Sequence, residues 1–473
     1  MKELEFLADY LGQETGLLVL NPVDDSELAV VRDWTVTEVE AAVEKAETAF
    51  GDWSKRTAKE RSAVLTRWYN LIMEHQEMLA RIITAECGKP LAEAWGEVAY
   101  GASFIEWFAE EGKRLYGDMI PAPGTDKRVM VLKQPIGVVS AITPWNFPNA
   151  MITRKVAPAL AAGCTAIVKP AEATPLSALA LQKLALEAGL PEDCLQIVTT
   201  TKPAEIGRVL TTHPTIRKFS FTGSTAVGKL LAQQCAGTVK KVSLELGGNA
   251  PFIVFDDADL EAAIRGAMAS KYRNAGQTCV CANRFYVQDG IHDTFVARLT
   301  EEVDKLKVGD GAEEGITVGP LINRAAVDKV EGLVEASLAA GATAATGGGR
   351  HDFGENYFEP TVLTNLQHGE EISRAEIFGP VAPVFRFQDE QDVIRMANDT
   401  PYGLAAYFYA RDLGRVFRVA EALEYGMVGI NEGIISTEVA PFGGVKESGI
   451  GREGSRYGID DYVELKYCLI GGL

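Results

Sequence analysis

Residues 164–198 read CTAIVKPAEATPLSALALQKLALEAGLPEDCLQIV, and this stretch decides the fold. Its opening, residues 164–169, has the short apolar pattern of a strand, and residues 176–188 have helical spacing that ends at Gly189. Residues 195–198 predict a second strand. Because a strand, a helix and a strand in succession build a parallel sheet, the stretch predicts an α/β fold.

The same alternation continues downstream. Residues 218–222 and 241–246 predict strands, with a turn at Gly223-Ser224 and a helix over residues 225–234 between them. A second alternating series then follows. We therefore predict two α/β domains with parallel sheets, which meet near residues 248–251.

Upstream of these strands the chain is predicted to be helical and then extended. Residues 37–50 and 59–86 have the spacing of amphipathic helices. Gly88 and Pro90 predict the end of the second helix. Residues 129–143 change to an extended pattern.

Composition and charge exclude several classes of function. The chain has 473 residues and a formal net charge of −19, which argues against nucleic-acid binding because phosphates require clustered Lys and Arg. No apolar run has the length of a membrane span and the start lacks the pattern of a signal peptide, so we expect no membrane partner. The seven cysteines are odd in number and scattered, which argues against a disulfide framework and predicts a reducing cytoplasm.

Two glycine-rich segments are candidates for nucleotide binding. Residues 449–454 match the G-x-G-x-x-G fingerprint, but Lys446-Glu447-Ser448 before them is not a strand pattern, so we reject this match. Residues 223–228, GSTAVG, lie between a predicted strand and a predicted helix, where backbone amides can face a pyrophosphate. We favour the second segment, although most such turns are plain helix caps.

Three further groups carry candidate chemistry. Residues 274–281, NAGQTCVC, place Cys279 after a predicted turn, and the Cys-x-Cys spacing without a nearby His predicts no metal site. Glu245 ends an apolar strand before two glycines, and Asn146 lies in the proline-bracketed loop 143–148. Each has a structural alternative: an inert buried cysteine, a carboxylate paired with lysine, and a rigid turn.

Taken together, these segments resemble the aldehyde dehydrogenase superfamily. The chain carries six of its motifs in the family's order: WNFP at 145–148, KPAE at 169–172, FTGS at 221–224, ELGG at 245–248, GQTC at 276–279 and EIFGP at 376–380. Residues 152–155, 273–281 and 441–473 are most similar to succinate-semialdehyde dehydrogenases. Six motifs in order across nearly the whole chain indicate membership of the superfamily.

The resemblance implies an aldehyde dehydrogenase-like α/β fold in three parts. A non-standard Rossmann domain for NAD would comprise residues 1–122 and 143–250, and a catalytic domain residues 251–440. A small β arm of residues 123–142 and 455–473 would join subunits into a homodimer or homotetramer.

The resemblance also implies roles for individual residues. Cys279 would be the nucleophile, Glu245 the general base and Asn146 an oxyanion donor. NAD is expected in preference to NADP, because Glu172 can accept hydrogen bonds from ribose hydroxyls whereas a 2′-phosphate would meet a like charge. The implied cofactor-binding residues are Trp145, Lys169, Glu172, Gly223, Ser224, Gly228, Leu246, Glu376 and Phe378.

The chemistry explains why these residue types are needed. An aldehyde gives up hydride readily only after a thiolate has added to it and formed a tetrahedral thiohemiacetal. A thiol with an ordinary pKa of about 8.5 needs local help to ionise, and the resulting thioester needs a base that activates water. A cysteine hydrolase would share the thioester step without NAD, but the ordered nucleotide motifs argue against that class. A non-catalytic relative would be expected to lack Cys279 or Glu245.

The expected substrate is a short aldehyde-acid, with succinic semialdehyde as the first choice. Two unpaired arginines, Arg154 and Arg273, would hold its distal carboxylate together with Ser436, because arginine offers a planar fork that matches a carboxylate. The alternative is that one or both arginines neutralise carboxylates such as Glu106 or Glu432. Glutarate semialdehyde and neutral aldehydes remain open, because one methylene changes discrimination by only about 1–3 kcal/mol.

Cys281 is a candidate redox partner of Cys279. The resemblance allows a disulfide between the two under oxidation, and plain packing of Cys281 is the alternative. Residues two apart can bridge only if their Cα atoms come within about 7 Å.

Overall fold

The structure is a computed structural model that describes residues 2–12 and 15–473. In this part of the chain the α-helices are Val36–Trp53 (α1), Ala58–Glu74 (α2), Gln76–Cys87 (α3), Leu91–Glu111 (α4), Ala150–Ala162 (α5), Pro175–Glu187 (α6), Pro203–Thr212 (α7), Thr225–Ala236 (α8), Leu260–Lys271 (α9), His292–Val303 (α10), Arg324–Ala339 (α11), Glu371–Arg374 (α12), Glu390–Asn398 (α13) and Leu413–Ala422 (α14). None of these described helices is both long and apolar enough to cross a lipid bilayer.

The strands of the described residues form four sheets. They are Leu17–Leu20 (β1), Glu27–Val31 (β2), Asp118–Ile120 (β3), Lys127–Pro135 (β4), Val138–Ile142 (β5), Thr165–Lys169 (β6), Leu195–Ile197 (β7), Ile216–Thr222 (β8), Lys241–Glu245 (β9), Ala250–Val254 (β10), Ala282–Gln288 (β11), Thr343–Thr346 (β12), Thr361–Thr364 (β13), Val381–Phe387 (β14), Ala405–Tyr409 (β15), Met427–Ile430 (β16), Gly449–Ile450 (β17) and Val463–Gly471 (β18). The stretch 164–198 supplies β6, α6 and β7 as its pattern predicts.

One sheet has the strand order β17-β9-β8-β5-β6-β7. β5 to β9 run parallel, and β17 pairs antiparallel with β9 at Glu245. The order reverses between β5 and β8, because β6 and β7 extend the sheet to one side and β9 extends it to the other. In open α/β sheets ligands bind beyond the carboxyl ends of the strands at this reversal.

A second large sheet has the order β12-β13-β14-β11-β10-β15-β16. Its strands run parallel except for β12, which pairs antiparallel with β13 at one edge. β10 begins at Ala250, soon after Glu245 ends β9 in the first sheet. The loops that enter β10, β11 and β14 therefore lie beside the carboxyl ends of the first sheet.

A smaller antiparallel sheet has the order β18-β4-β3 and exposes apolar side chains such as Leu465, Tyr467 and Leu469. It contains most of the residues expected in an arm, but residues 138–142 form β5 in the first large sheet, and residues 118–120 join the small one. The extended pattern gives no sign of this change of sheet, because only Ile136 and Gly137 separate β4 from β5.

The helix predicted over residues 59–86 is wrong in one respect, since α2 and α3 meet at His75. The backbone of His75 leaves the helical region at φ −98° and ψ 17°. The apolar spacing continues across the break because Ile72 and Leu79 pack into the same core. Gly88 ends α3 in the left-handed region at φ +76°, as its position in the sequence predicts.

Helix α5 is buried along its whole length. It packs against α4 and α2 and carries two cations, Arg154 and Lys155. A charge in such a position is strongly destabilising unless a carboxylate pairs with it. The helix can therefore form its packing only if acidic residues from elsewhere in the chain approach it.

Gly88→Ala is expected to destabilise the protein. Alanine in the left-handed region costs about 1–2 kcal/mol, and its Cβ would lie 2.5 Å from Pro320 Cγ. The midpoint of thermal unfolding should fall by several degrees. The control is Gly332→Ala, within α11, where a Cβ meets nothing within 4 Å and alanine favours the helix by about 1 kcal/mol. Equal shifts for both variants would contradict the prediction.

Candidate active site

A cleft of about 260 Å³ opens where the strand order of the first large sheet reverses. Its walls are the loops that follow β5, β8 and β9 and the loops that precede β11 and β14. These walls include eight of the residues singled out from the sequence: Trp145, Asn146, Gly223, Ser224, Leu246, Cys279, Glu376 and Phe378. Motifs far apart in the sequence thus converge on one site.

Hydrogen bonds join the loop that carries Asn146 to the loop that carries Cys279. The Asn146 side-chain amide donates to the Gln277 carbonyl at 2.9 Å, and the Asn274 side chain donates to the Asn146 carbonyl at 3.1 Å. Asn274 and Ala275 are left-handed at φ 50° and 53°, which forms the turn predicted before Cys279. The Asn146 amide therefore has a second N–H that can serve the cleft.

A buried ion pair positions Asn146. Lys89 pairs with Glu97, and Lys89 Nζ also donates to the Asn146 carbonyl at 2.8 Å. Glu97 Oε1 accepts a hydrogen bond from the backbone N–H of Asn149 at 2.9 Å, just before α5 begins. Sequence analysis missed Lys89 and Glu97, because nothing in their spacing indicates that they meet a loop about fifty residues away.

The Cys279 thiol lies in surroundings that oppose its ionisation. Burial raises its pKa to about 12; Glu376 and Glu245 act in the same direction, while Arg154 opposes them. In the protein alone the thiol is therefore protonated at neutral pH. Because the thiolate is the nucleophile, the chemistry requires a group that can accept this proton.

Glu245 is buried at the end of β9. Burial and the charge of Glu453 raise its pKa well above the usual range, while Arg154 and Lys155 act in the opposite direction. Its Oε2 has no hydrogen-bond partner among the residues that the structure describes. A carboxylate with a raised pKa is a stronger base, which suits proton transfer from a thiol or from water.

Glu453 forms ion pairs with both cations of α5. Its carboxylate lies 2.5 Å from Arg154 Nε and 2.5 Å from Lys155 Nζ. Burial alone would raise its pKa, but Lys155 and Arg154 hold the pKa of this carboxyl below its usual range. Glu453 belongs to residues 449–454, the segment rejected as a dinucleotide fingerprint, and β17 of that segment pairs with Glu245.

The expectation that Arg154 is unpaired is wrong. Its guanidinium is 1% exposed, pairs with Glu453 and lies 4.0 Å from the ring centroid of Phe442. The alternative that an arginine neutralises a carboxylate therefore holds for Arg154, but Glu106 and Glu432 are exposed and are not its partners. Its Nε and Nη2 have no hydrogen-bond partner among the described residues, although Nε is in ion-pair contact with Glu453.

Arg273 is half-buried on the loop that leads to Cys279. Its guanidinium lies 5.4 Å from the ring centroid of Phe147, and no carboxylate in the described ranges 2–12 and 15–473 forms an ion pair with it. Ser436 is half-buried and lies near the hydroxyl of Tyr100, a residue that sequence analysis missed. Of the two predicted arginines, Arg273 is the one without an ion pair in the described part of the chain, although its charge acts on the buried Glu93, and neither arginine is among the residues that line the cleft.

Comparison of the sequence with known proteins identifies the family of the chain. The sequence profile of the aldehyde dehydrogenase family matches residues 11–468. The chain belongs to the aldehyde dehydrogenase family. The resemblance seen in the six motifs is therefore confirmed, and with it the expected class of oxidoreductase.

Individual relatives of the chain agree with this assignment. The NADP(+) succinate-semialdehyde dehydrogenase of Escherichia coli strain K12 is 60% identical over 96% of this chain and 94% of its own. The 3-sulfolactaldehyde dehydrogenase of Pseudomonas putida is 60% identical over 96% and 93%. A crystal structure of succinate-semialdehyde dehydrogenase from Burkholderia pseudomallei is 59% identical, with a TM-score of 0.96 over 97% of this chain and 95% of that one. The predicted aldehyde dehydrogenase-like fold is confirmed.

Aldehyde dehydrogenases use NAD(P), and the cleft fits such a group. Ser224 caps α8 by accepting from the Val227 amide, and the Thr222 hydroxyl beside it is buried without a partner among the described residues. A Cβ at Gly223 would lie 2.5 Å from the Phe221 ring, and one at Gly228 would lie 2.3 Å from the Leu246 side chain, so a larger residue at either position would require that side chain to move. The start of α8 is therefore open to a phosphate.

Two predicted cofactor-binding carboxylates have contacts that suit ribose. Lys169 pairs with Glu172, which is 40% exposed, and Lys169 Nζ also donates to the Pro170 carbonyl at 3.0 Å. Glu376 accepts from the Gly248 amide at 3.0 Å, and burial raises its pKa. Their roles toward the cofactor stay predictions.

Cys281 is buried behind Cys279. Its thiol lies 3.5 Å from the Lys271 carbonyl oxygen, and burial raises its pKa. These contacts fit a packed thiol that donates to the backbone. The redox pairing of Cys281 with Cys279 stays a prediction.

The environment of Cys279 predicts the effect of Glu376→Gln. Removing this carboxylate removes a charge that raises the pKa of Cys279, so more thiolate should form at a given pH. At pH 9, alkylation of Cys279 by iodoacetamide should be about two- to tenfold faster in the variant, because the rate follows the thiolate fraction. In the wild type the rate should still be rising at pH 10. Mass spectrometry of the Cys279 peptide measures it.

The half-buried Cys468 lies outside the cleft and provides an internal reference in the same samples. Its alkylation should be the same in wild type and Glu376→Gln. A slower or unchanged rate at Cys279 would show that Glu376 does not control its ionisation.

Proposed function

We propose that this aldehyde dehydrogenase oxidises succinic semialdehyde to succinate. The observation that carries the proposal is the guanidinium of Arg273, half-buried without a carboxylate partner among the described residues, on the loop that presents Cys279. A cation left in this way favours a ligand that brings an anion. An aldehyde with a carboxylate at its far end supplies that anion while its carbonyl faces Cys279.

The names of two relatives support an anionic substrate. The Escherichia coli enzyme is named for succinic semialdehyde, and the Pseudomonas putida enzyme is named for an aldehyde that ends in a sulfonate. Carboxylate and sulfonate offer arginine similar acceptor oxygens. Glutarate semialdehyde is the second candidate, because an added methylene changes binding by only about 1–3 kcal/mol.

The first chemical step belongs to Cys279. As its sulfur bonds to the aldehyde carbon, Glu245 accepts the thiol proton, and the raised pKa of Glu245 favours this transfer. The negative charge that develops on oxygen is stabilised by the second N–H of Asn146 and by the backbone amide of Cys279. Among the described residues that backbone amide donates to no backbone carbonyl, and its N–H lowers the pKa of the Cys279 thiol beside it. Losing one such donor typically costs about 3 kcal/mol of transition-state stabilisation.

The second step releases the acid. The start of α8 and Glu376 would hold NAD(P), which when bound would supply an acceptor for the hydride. Cys279 would then carry the acyl group as a thioester. Glu245 first releases the thiol proton to solvent and then takes a proton from water as that water attacks the thioester carbon. The C–S bond breaks, the acid leaves, and a proton returns to the cysteine sulfur. The ion pair of Glu453 with Arg154 and Lys155 keeps the nearby cations from lowering the pKa of Glu245 further.

Arg273→Ala tests the proposed substrate. The KM for succinic semialdehyde should rise about ten- to a hundredfold, which corresponds to loss of a charge-assisted hydrogen bond. The KM for propanal should change by less than about twofold, because that aldehyde has no charge for Arg273 to bind. Steady-state NAD(P)H formation with both aldehydes measures the difference.

The matched control is Arg265→Ala, an exposed arginine on α9 and not on the loop that presents Cys279. It should leave both KM values unchanged. An equal rise in KM for succinic semialdehyde and propanal in Arg273→Ala would show that Arg273 supports the loop. The proposed substrate would then lose the main observation that supports it.

We further propose that NAD is preferred to NADP, although the Escherichia coli relative is named for NADP(+). Glu172 is partly exposed and can accept from the ribose hydroxyls, while a 2′-phosphate would meet its negative charge. Glu172 also pairs with Lys169, a cation that could otherwise attract a phosphate. Both effects favour the cofactor without the phosphate.

Glu172→Ser should therefore shift the preference toward NADP. The serine removes the repulsion and frees Lys169 for the phosphate, so the ratio of kcat/KM for NADP to that for NAD should rise about tenfold or more. Glu187→Ser, an exposed site at the end of α6, is the control and should leave the ratio unchanged. A wild-type enzyme that prefers NADP would refute the proposal.

We also propose a role for each of the three larger sheets. The sheet that contains β5 to β9 would hold the cofactor and the sheet that contains β10, β11 and β14 would carry the cysteine loop. The exposed apolar face of β18 fits the expected contact between subunits. The homodimer or homotetramer stays a prediction.

A further inference from the structure

Tyr100 is another residue whose polar group lacks a hydrogen-bond partner among the described residues. It lies in the middle of α4, and its phenol oxygen is buried without a hydrogen-bond partner among the residues that the structure describes. Its ring packs edge-on against Phe104 at 5.1 Å. A buried hydroxyl without a partner is rare and costly, so it calls for an explanation.

The groups around this hydroxyl are those of the proposed carboxylate pocket. Phe104, on the same face of α4, lies 5.3 Å from the Arg154 guanidinium. Burial raises the pKa of Tyr100, while the positive charges of Arg154 and Arg273 and the nearby Ser436 hydroxyl act to lower it. Ser436 is close without forming a well-aligned hydrogen bond. The hydroxyl therefore remains a free donor in a region of positive charge.

We propose that the Tyr100 hydroxyl donates a hydrogen bond to the distal anionic group of the substrate, beside Arg273, and so helps the enzyme to select aldehyde-acids over neutral aldehydes. This inference rests on the proposed function and deepens it. The substrate carboxylate has acceptor capacity for Arg273, Ser436 and Tyr100 together, since each ionised carboxylate accepts about four hydrogen bonds.

The hydroxyl contributes to selectivity in two ways. With an aldehyde-acid bound, the unsatisfied donor gains a charged acceptor, which is among the stronger hydrogen bonds in proteins. With a neutral aldehyde bound, the donor stays buried and unpaired, and the site gains nothing from it. Sites built to hydrogen-bond a substrate group reject analogues that lack that group for this reason.

Tyr100→Phe is the test, because it removes only the hydroxyl and keeps the ring against Phe104. The KM for succinic semialdehyde should rise about tenfold with kcat nearly unchanged, while the KM for propanal should stay within about twofold. Succinate should inhibit propanal oxidation about tenfold more weakly in the variant than in the wild type. This inhibition reports binding of the carboxylate without the aldehyde chemistry.

Tyr357→Phe is a matched control. The Tyr357 hydroxyl is also buried without a partner among the described residues, but the charges near it are those of Asp310, Asp24 and Glu313 and not those of Arg154 and Arg273. The change should leave both KM values and the succinate inhibition unaltered. Any loss of activity common to both variants would then reflect the removal of a buried hydroxyl in general.

The outcomes separate this inference from the proposed function. If the wild type favours succinic semialdehyde over propanal and Tyr100→Phe does not change that preference, the role of Tyr100 is refuted and the proposed function stands. If Tyr100→Phe weakens both aldehydes equally, Tyr100 is a packing residue and the inference is overturned. If the wild type shows no preference and succinate does not inhibit, the proposed function fails, and the inference fails with it.

Discussion

Two cations on a buried helix constrain the whole site. Arg154 and Lys155 have almost no contact with solvent, and Glu453 from the far end of the chain pairs with both. Removing one partner from such a group typically destabilises a protein by about 3–5 kcal/mol, so the segment that carries Glu453 must close over the helix. That closure places β17 beside Glu245 and sets the field in which this carboxyl titrates.

Burial in the same region also makes Cys279 and Glu245 harder to ionise than they would be in water. Burial raises the pKa of the Cys279 thiol to about 12 and raises that of Glu245 well above its usual range. A thiol that is hard to ionise is therefore matched with a stronger base, which reduces the difference between the pKa values of the two groups and favours proton transfer. The reaction then depends on local donors, Asn146 and the Cys279 amide, rather than on a thiolate that exists beforehand.

Much of the fold and the chemistry follows from short-range features of the sequence. The strand-helix-strand pattern of residues 164–198 predicted the parallel sheet for two reasons. Strands buried on both faces have continuous apolar runs, and parallel strands need a crossover connection, which is usually a helix. The ordered motifs indicated Cys279, Glu245 and Asn146, and the first and last of these line one cleft. The stop at Gly88 and the turn before Cys279 were predicted because glycine and polar residues favour left-handed or turning backbone.

What only the tertiary structure decided are the partners of buried charged and polar groups. Arg154 pairs with Glu453 from a distant part of the chain, and the Lys89–Glu97 pair meets the Asn146 carbonyl 57 residues beyond Lys89. The Tyr100 hydroxyl has no hydrogen-bond partner among the described residues. Sequence periodicity reports which face of an element is buried, but it contains no information about which acid meets which base across the core. The sequence therefore could not distinguish Arg154 from Arg273. Only the packing shows that Arg154 pairs with Glu453, whereas Arg273 has no ion pair among the described residues.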